Sequence, residues 1–264
     1  MTDALHRIAA ALERLSPASP APADPLAHAA YAWNDGRLQV IGTEALPLDR
    51  LVGLDRQRDL LVANLHRLAQ GHAAHDVLLW GARGSGKSAL AKAAVAAVGR
   101  ERPALGLVIA AELASLPTLF AALSPVARPF ALFLDDLGVE DPAATRALRS
   151  LLEGGARPRP ANLRLIVTAN RRHLAPRAMA ADAVAARDAL DDELALADRF
   201  GLSLCFHPLD QDSYLAIVAT HAAAAGLTAD PDEALAWART RGGRSGRVAW
   251  QFVVEIAGRA GLAL

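Results

Sequence analysis

One cysteine, Cys205, stands among 264 residues, so no intrachain disulfide can form. It lies in an apolar run with Leu202, Leu204 and Phe206, which reads as buried filler in a reducing, cytoplasmic setting. No stretch reaches the roughly 18 uninterrupted apolar residues of a membrane-spanning helix, so no membrane partner is expected. Asp3, His6, Arg7 and Glu13 interrupt any apolar segment of a secretory signal. Net charge is also missing: 28 basic residues balance 28 acidic ones, which implies no general attraction to nucleic acid or to acidic lipid. The eight histidines supply no metal constellation, because His72 and His75 lack Cys, Asp or Glu partners at ligand spacing. What remains is a globular composition, 53% hydrophobic and 21% charged, long enough for one large domain or one domain plus a small one.

The chain is organised as an alternation. Leu5, Ile8, Leu12 and Leu15 stand at helical spacing over 4–15, which predicts a short amphipathic helix that either docks on the body or binds a partner. A Pro/Ala linker follows over 16–25. Apolar runs at 75–81, 105–110, 130–135, 163–168 and 202–207 read as strands. Helices are expected over 88–98, 115–123 and 142–152, the last with Pro142 in its first turn. Gly154-Gly155 and the Arg157–Pro160 stretch read as a helix stop and loop. An Ala- and acid-rich helix is expected over 178–197. Beyond Asp210 only helices follow, over 210–225, 231–240 and 246–260, with Val248, Phe252, Val253 and Ile256 on one side of the last.

Continuous apolar strands separated by helices imply an α/β fold with a parallel five-stranded sheet covered on both faces. The expected division is a helix and linker (1–25), an extension (26–49), an α/β domain (50–208) and a small C-terminal helical domain (209–264).

Gly81-Ala82-Arg83-Gly84-Ser85-Gly86-Lys87-Ser88 fits the pattern G-x-x-x-x-G-K-[ST], and Ala89 continues into the following helix. Glycines let several backbone N–H groups converge on phosphate oxygens, and the helix dipole adds to them. Lys87 would reach the β- and γ-phosphates of ATP, and Ser88 would ligate Mg2+. Only two of the 28 basic residues are lysines, Lys87 and Lys92, which makes a chance match less frequent. The apolar run Phe130–Leu134 ends in Asp135-Asp136. A carboxylate at the C-terminal end of a parallel strand faces the ligand crevice. Asp135 is thus the magnesium partner, and Asp136 is placed to polarise water.

Taken together, these stretches resemble an AAA+ ATPase. Leu51–Gln57, with Gly53 and Leu54, is similar to the segment that packs around adenine. Leu165–Asn170 resembles the sensor-1 strand, with Asn170 at its tip. Asp198-Arg199-Phe200 resembles the arginine-finger position, and Gly243–Arg247 resembles sensor 2, with Arg247 and Arg244 as rival lid residues. From about 31 to 260 the chain resembles, more narrowly, a bacterial AAA+ family known only as a domain of unknown function. The resemblance implies ATP and magnesium as cofactors, with Asn170 positioning water and Arg247 sensing nucleotide. It also implies a homo-oligomer in which Arg199 acts on a neighbour's ATP, and a protein partner remodelled by hydrolysis. There is one departure: many AAA+ enzymes carry Asp-Glu where this chain has Asp135-Asp136. The shorter carboxylate keeps a second reading open, a slow ATP-dependent switch or loader acting on nucleic acid or a protein assembly. Five arginines and one acid between Arg239 and Arg259 are either a solvated face or a nucleic-acid contact. A small-molecule kinase would leave the DRF and GRSGR stretches without a role.

Overall fold

The expected strands are apolar on both faces because each is covered twice. In β3 (Val77–Gly81), Val77 and Leu79 join one apolar cluster and Leu78 joins another. Side chains alternate across a strand, so a strand buried on both sides has to be apolar throughout. The first face packs against α1 (Asp55–Ala69) and α2 (Lys87–Glu101) through Leu61, Leu65, Leu90 and Ala94. The second packs against α3 (Leu116–Leu123) and α4 (Pro142–Leu152) through Leu119, Phe120, Leu123 and Leu148. The computed structural model describes residues 21–136, 142–154, 159–170 and 198–264. The expected helices over 4–15 and 178–197, the linker up to residue 20, and Gly155 and Arg157 lie outside these ranges.

The sheet has seven strands, two more than the sequence reading expects, in the order β2-β1-β4-β5-β6-β3-β7. The five expected strands are β3, β4 (Gly106–Ala110), β5 (Phe130–Leu134), β6 (Leu163–Asn170) and β7 (Leu202–Phe206), all parallel to their neighbours. The additional pair, β1 (Ala30–Asn34) and β2 (Arg37–Val40), is a hairpin in the segment read as an extension. β1 lies parallel to β4, and β2 runs antiparallel at the edge. Asp35 (φ 50°) and Gly36 (φ 72°) make its two-residue turn, the left-handed pair that matches strand twist. Helix α1 is likewise additional to the sequence reading.

Arg128 ties this hairpin to the sheet. The residue is 7% exposed, and its guanidinium donates to the carbonyls of Pro25 (2.8 Å), His28 (2.6 Å) and Ala104 (2.8 Å). It also reaches the hydroxyl of the fully buried Tyr31 at 3.5 Å and lies over the Phe130 ring. A buried cation without its acceptors is costly, and so are buried carbonyls without their donor.

Past β7 the chain forms α5 (Gln211–Ala224), α6 (Pro231–Thr240) and α7 (Gly246–Arg259). Asp210, Asp230 and Ser245 cap them, each accepting from a first-turn backbone N–H. Tyr214, Val218, Ala234, Phe252 and Val253 join these helices in a third apolar cluster. No helix among the described residues is long and apolar enough to cross a membrane.

Replacing Arg128 by Met should therefore cost about 3 kcal/mol, because several buried carbonyls lose one shared donor. A drop in the urea midpoint, with faster amide exchange in β1 and β2 than in β3, is the expected result.

Candidate active site

The loop after β3 is shaped by its neighbours. Gly81 has φ 130°, and a Cβ there would meet the Phe206 carbonyl oxygen at 2.1 Å. Only glycine fits, and the next amide, Ala82 N–H, donates to that same carbonyl at 2.9 Å. Gly86, at φ 95°, turns the chain into α2. Lys87 is 5% exposed, and its Nζ donates to the Gly81 (3.1 Å) and Ala82 (2.7 Å) carbonyls. Burial pushes its ammonium below the ordinary lysine pKa, while Asp136 and Asp135 pull it back up. A cation stripped of water in this way gains from further anionic oxygen, the chemistry of a polyphosphate.

Strand register delivers the acidic groups. β5 pairs with β6 so that Leu134 lies opposite Val167, which sets Asp135 beside Thr168. The Ser88 hydroxyl donates to Asp135 Oδ1 at 2.6 Å, and the Thr168 hydroxyl donates to the same oxygen at 2.7 Å. Asp136 donates its backbone N–H to Thr168 Oγ1 at 2.7 Å and takes the left-handed conformation, φ 51°. Asn170 Nδ2 donates to Asp136 Oδ1. Ser88 hydroxyl and Asp135 carboxylate are hard oxygen donors beside a phosphate-type loop, a set that fits magnesium.

These groups face a cleft of about 510 Å3. One end is the phosphate loop and the acidic pair. The other is apolar, with Leu51, Leu54, Ile217 and Trp250. Helix α7 closes on the loop directly, since Gly246 N–H donates to Gly84 O at 2.8 Å. A Cβ on Gly84 would meet that of Ser245 at 2.8 Å.

Of the residues singled out in the sequence, Arg83, Gly84, Ser85, Gly86, Lys87, Ser88 and Ala89 line the cleft. So do Leu54, Asp135, Asp136, Asn170 and Arg247. Gly81 and Ala82 lie beneath it as acceptors for Lys87. Gly53 is not in the lining but makes the turn before Leu54, at φ 74°. Arg244 is also absent from the lining and instead lies near Asp210. Hydrogen bonds from Ser213 hold the Asp210 carboxyl below its ordinary range, and Arg244 adds a smaller pull in the same direction.

Arg199 is elsewhere. It lines a separate hollow of about 540 Å3 with Glu153, Arg159 and Arg164, and its Nε donates to Glu153 at 2.8 Å. The other C-terminal arginines differ in their surroundings. Arg247 faces the cleft, Arg241 stacks on Trp237 at 4.2 Å, and Arg259 pairs with Glu233 and Glu255.

Among the cleft residues that the sequence reading did not single out are Thr168, His221 and Trp250. Thr168 was legible as a polar residue two places before Asn170 in an apolar strand. His221 carries no such signal inside its alanine-rich helix. It is 7% exposed, packs edge-on against Trp250 at 5.4 Å, and its Nδ1 has no hydrogen-bond partner among the described residues.

Comparison with known proteins agrees with this geometry. A family model described as "Protein of unknown function (DUF815)" matches residues 26–260. No curated protein matches the chain. Among solved structures, the ORC1 protein of Aeropyrum pernix in complex with DNA superposes with a TM-score of 0.57 at 16% identity. That match covers 84% of this chain and 66% of that one. The RuvB Holliday junction branch migration motor of Thermotoga maritima gives 0.52 at 18% identity, over 83% and 68% of the two chains. PCH-2 of C. elegans gives 0.51 at 14% identity, over 77% and 62%. This chain thus spans roughly two thirds of the length of each neighbour. At such identities the likeness shows the fold, which is that of AAA+ ATPases.

Burial, and to a lesser degree Arg50, lowers the His221 pKa below the ordinary imidazole value. Above that value neither the folded nor the unfolded chain is protonated there, and the group adds nothing to pH dependence. As pH falls below it, the unfolded chain takes up the proton first, so stability is lost progressively until the folded pKa is passed and then stays at the lower level. The denaturant midpoint should therefore drop between about pH 7.5 and about pH 5.5, on either side of the ordinary value of about 6.5. His221→Gln should drop less over the same interval. An equal drop in both proteins would remove His221 as the cause.

Proposed function

Given that the chain belongs to the family described as "Protein of unknown function (DUF815)" and carries an AAA+ fold, we propose that it binds ATP with magnesium and hydrolyses it at a subunit interface. The supporting observation is the Ser88–Asp135 hydrogen bond at the mouth of a 510 Å3 cleft, beside the desolvated Lys87. The phosphates would lie on the backbone amides of 81–88, with Lys87 on the β- and γ-groups. Ser88 and Asp135 would hold magnesium, which supplies neutralising charge to the phosphate oxygens. The nucleobase would enter the apolar end, against Leu54, Ile217 and Trp250.

In hydrolysis, water attacks the γ-phosphorus and the bond to the β–γ bridging oxygen breaks, leaving ADP and phosphate. Asp136 orients the water and accepts its proton, and Asn170 fixes Asp136. Arg247 reaches the phosphates from the first turn of α7. Arg199 points to an oligomer, because it lines another hollow and has no place on its own cleft. Its guanidinium would stabilise the transferring phosphoryl group of a neighbouring copy, and the resulting motion would remodel a protein partner.

A second reading has its own observation. Asp136 is one methylene shorter than glutamate and is already bonded to Asn170. That geometry favours slow turnover, as in an ATP-dependent switch or loader that organises a protein or nucleic-acid assembly.

ATPase rate measured against protein concentration separates the two. For a shared site the rate per subunit rises with concentration, and Lys87→Ala and Arg199→Ala each lose about a hundredfold or more. Mixing those two inactive variants should restore part of the activity, because an intact Lys87 in one subunit meets an intact Arg199 from the other. No recovery on mixing would sink the shared site. ATP binding that depends on Lys87, with no hydrolysis at any concentration, would favour the switch.

A further inference from the structure

Successive side chains of an extended strand point to opposite faces, so Asp135 and Asp136 could not both serve one cleft if β5 simply continued. The chain solves this by turning at Asp136, at φ 51°. One side chain outside the sequence pattern meets both halves of that turn. Thr168 is 2% exposed, within β6. A hydroxyl offers one donor and two acceptor sites. Thr168 uses the donor on Asp135 Oδ1 and an acceptor on the Asp136 N–H, each at 2.7 Å.

We infer that Thr168 is a positioning residue, whose hydroxyl locks the Asp135 carboxylate toward Ser88 and the Asp136 turn toward Asn170. The inference rests on the magnesium–ATP reading of the cleft. The geometry behind it is specific. Asp135 is the first residue beyond β5 and no longer has a strand partner to fix it. Its Oδ1 is shared by two hydroxyls from two different elements, α2 and β6. When Ser88 turns an oxygen lone pair to a metal, its O–H must reorient about the new bond, whereas the Thr168 O–H keeps its place on the same carboxylate oxygen. The carboxylate then keeps its orientation through the change in ligands. The same hydroxyl takes the amide of a residue in a strained conformation, which holds the water-orienting carboxylate on the cleft side.

A structural role alone predicts something different. Thr168 is followed and preceded by apolar residues that pack in the second cluster, and valine is its near isostere in a buried strand. Thr168→Val should therefore fold, and only the latch is lost. The experiment is calorimetric titration of the full chain with ATP, in excess magnesium, at graded magnesium, and in EDTA, alongside steady-state hydrolysis. Thr168→Val should bind ATP in EDTA as the unmodified chain does. It should need about tenfold more magnesium for half of the affinity gain, and kcat should fall about tenfold or more with little change in KM. Thr168→Ser, which restores the hydroxyl, should recover both within about twofold. Thr168→Val matching the unmodified chain in magnesium dependence and kcat would overturn the inference while leaving the nucleotide reading intact. Equal losses in EDTA and in magnesium, not rescued by Thr168→Ser, would assign Thr168 to packing and overturn it also. An unmodified chain that binds no ATP, or binds it without regard to magnesium, would defeat the nucleotide reading itself, and Thr168 with it.

Discussion

Parallel register at the C-terminal edge of the sheet is the constraint on which the cleft depends. Gly81 lies opposite both Asn170 and Phe206, and Leu134 lies opposite Val167. Those pairings bring the phosphate loop, the acidic turn and the tip of β6 into one row. A slip of one residue between β5 and β6 would move every side chain of the slipped strand to the opposite face. It would also bury the carboxylates in an apolar cluster, where an unpaired charge is prohibitively costly. The apolar side chains on both faces therefore enforce the chemistry at the edge. They hold the register because any other register exposes or buries the wrong groups.

A second dependence runs from the loop to the C-terminal helices. The contact is between backbones, Gly246 N–H to Gly84 O, at a point where neither residue has a side chain to intervene. The first turn of α7 can approach so closely because Gly84 is bare, and that approach sets Arg247 on the cleft and leaves Arg244 outside it. Ser245 fixes the same turn from the other side by capping Val248 N–H. Whatever changes the shape of the loop thus reaches the helical cluster through a rigid, short connection. A backbone hydrogen bond of this kind has two clear states, made and broken, which is what a coupled motion between the parts requires.

Much of this was legible in residues. The strand runs were readable because burial on two faces demands continuous apolar sequence, and the loop because few residue types allow its backbone. Helix starts over 210–246 were readable from Asp210, Asp230 and Ser245, whose side chains satisfy free amides. The hairpin was missed even though Asp35-Gly36 between AYAWN and RLQV is a strong turn signal. Its strands are short, and only tertiary pairing with β4, fastened by Arg128, makes them part of the sheet. Helix α1 opens with Asp55-Arg56-Gln57-Arg58-Asp59, so its apolar face begins only at Leu61. Arg199 was readable as a position but not as a geometry. Its pairing with Glu153 joins residues 46 apart, which no local pattern encodes.

The Asp-Asp pair has a physical rationale in the turn. Residue 136 has φ 51°, a region that side chains rarely occupy and that Asp and Asn tolerate better than most. Their short polar side chains find a hydrogen bond close to the backbone, and here Asn170 supplies it. Glutamate would meet the same steric cost at its Cβ, and its carboxylate would lie one methylene beyond the Asn170 amide. The sequence thus keeps a carboxylate that fits the turn at the expense of reach into the cleft. Placement of the second carboxylate and its backbone conformation are one choice, made jointly by Asp136, Thr168 and Asn170. Lengthening the side chain alone would carry its carboxylate off the Asn170 amide, because the turn that aims it fits the shorter one.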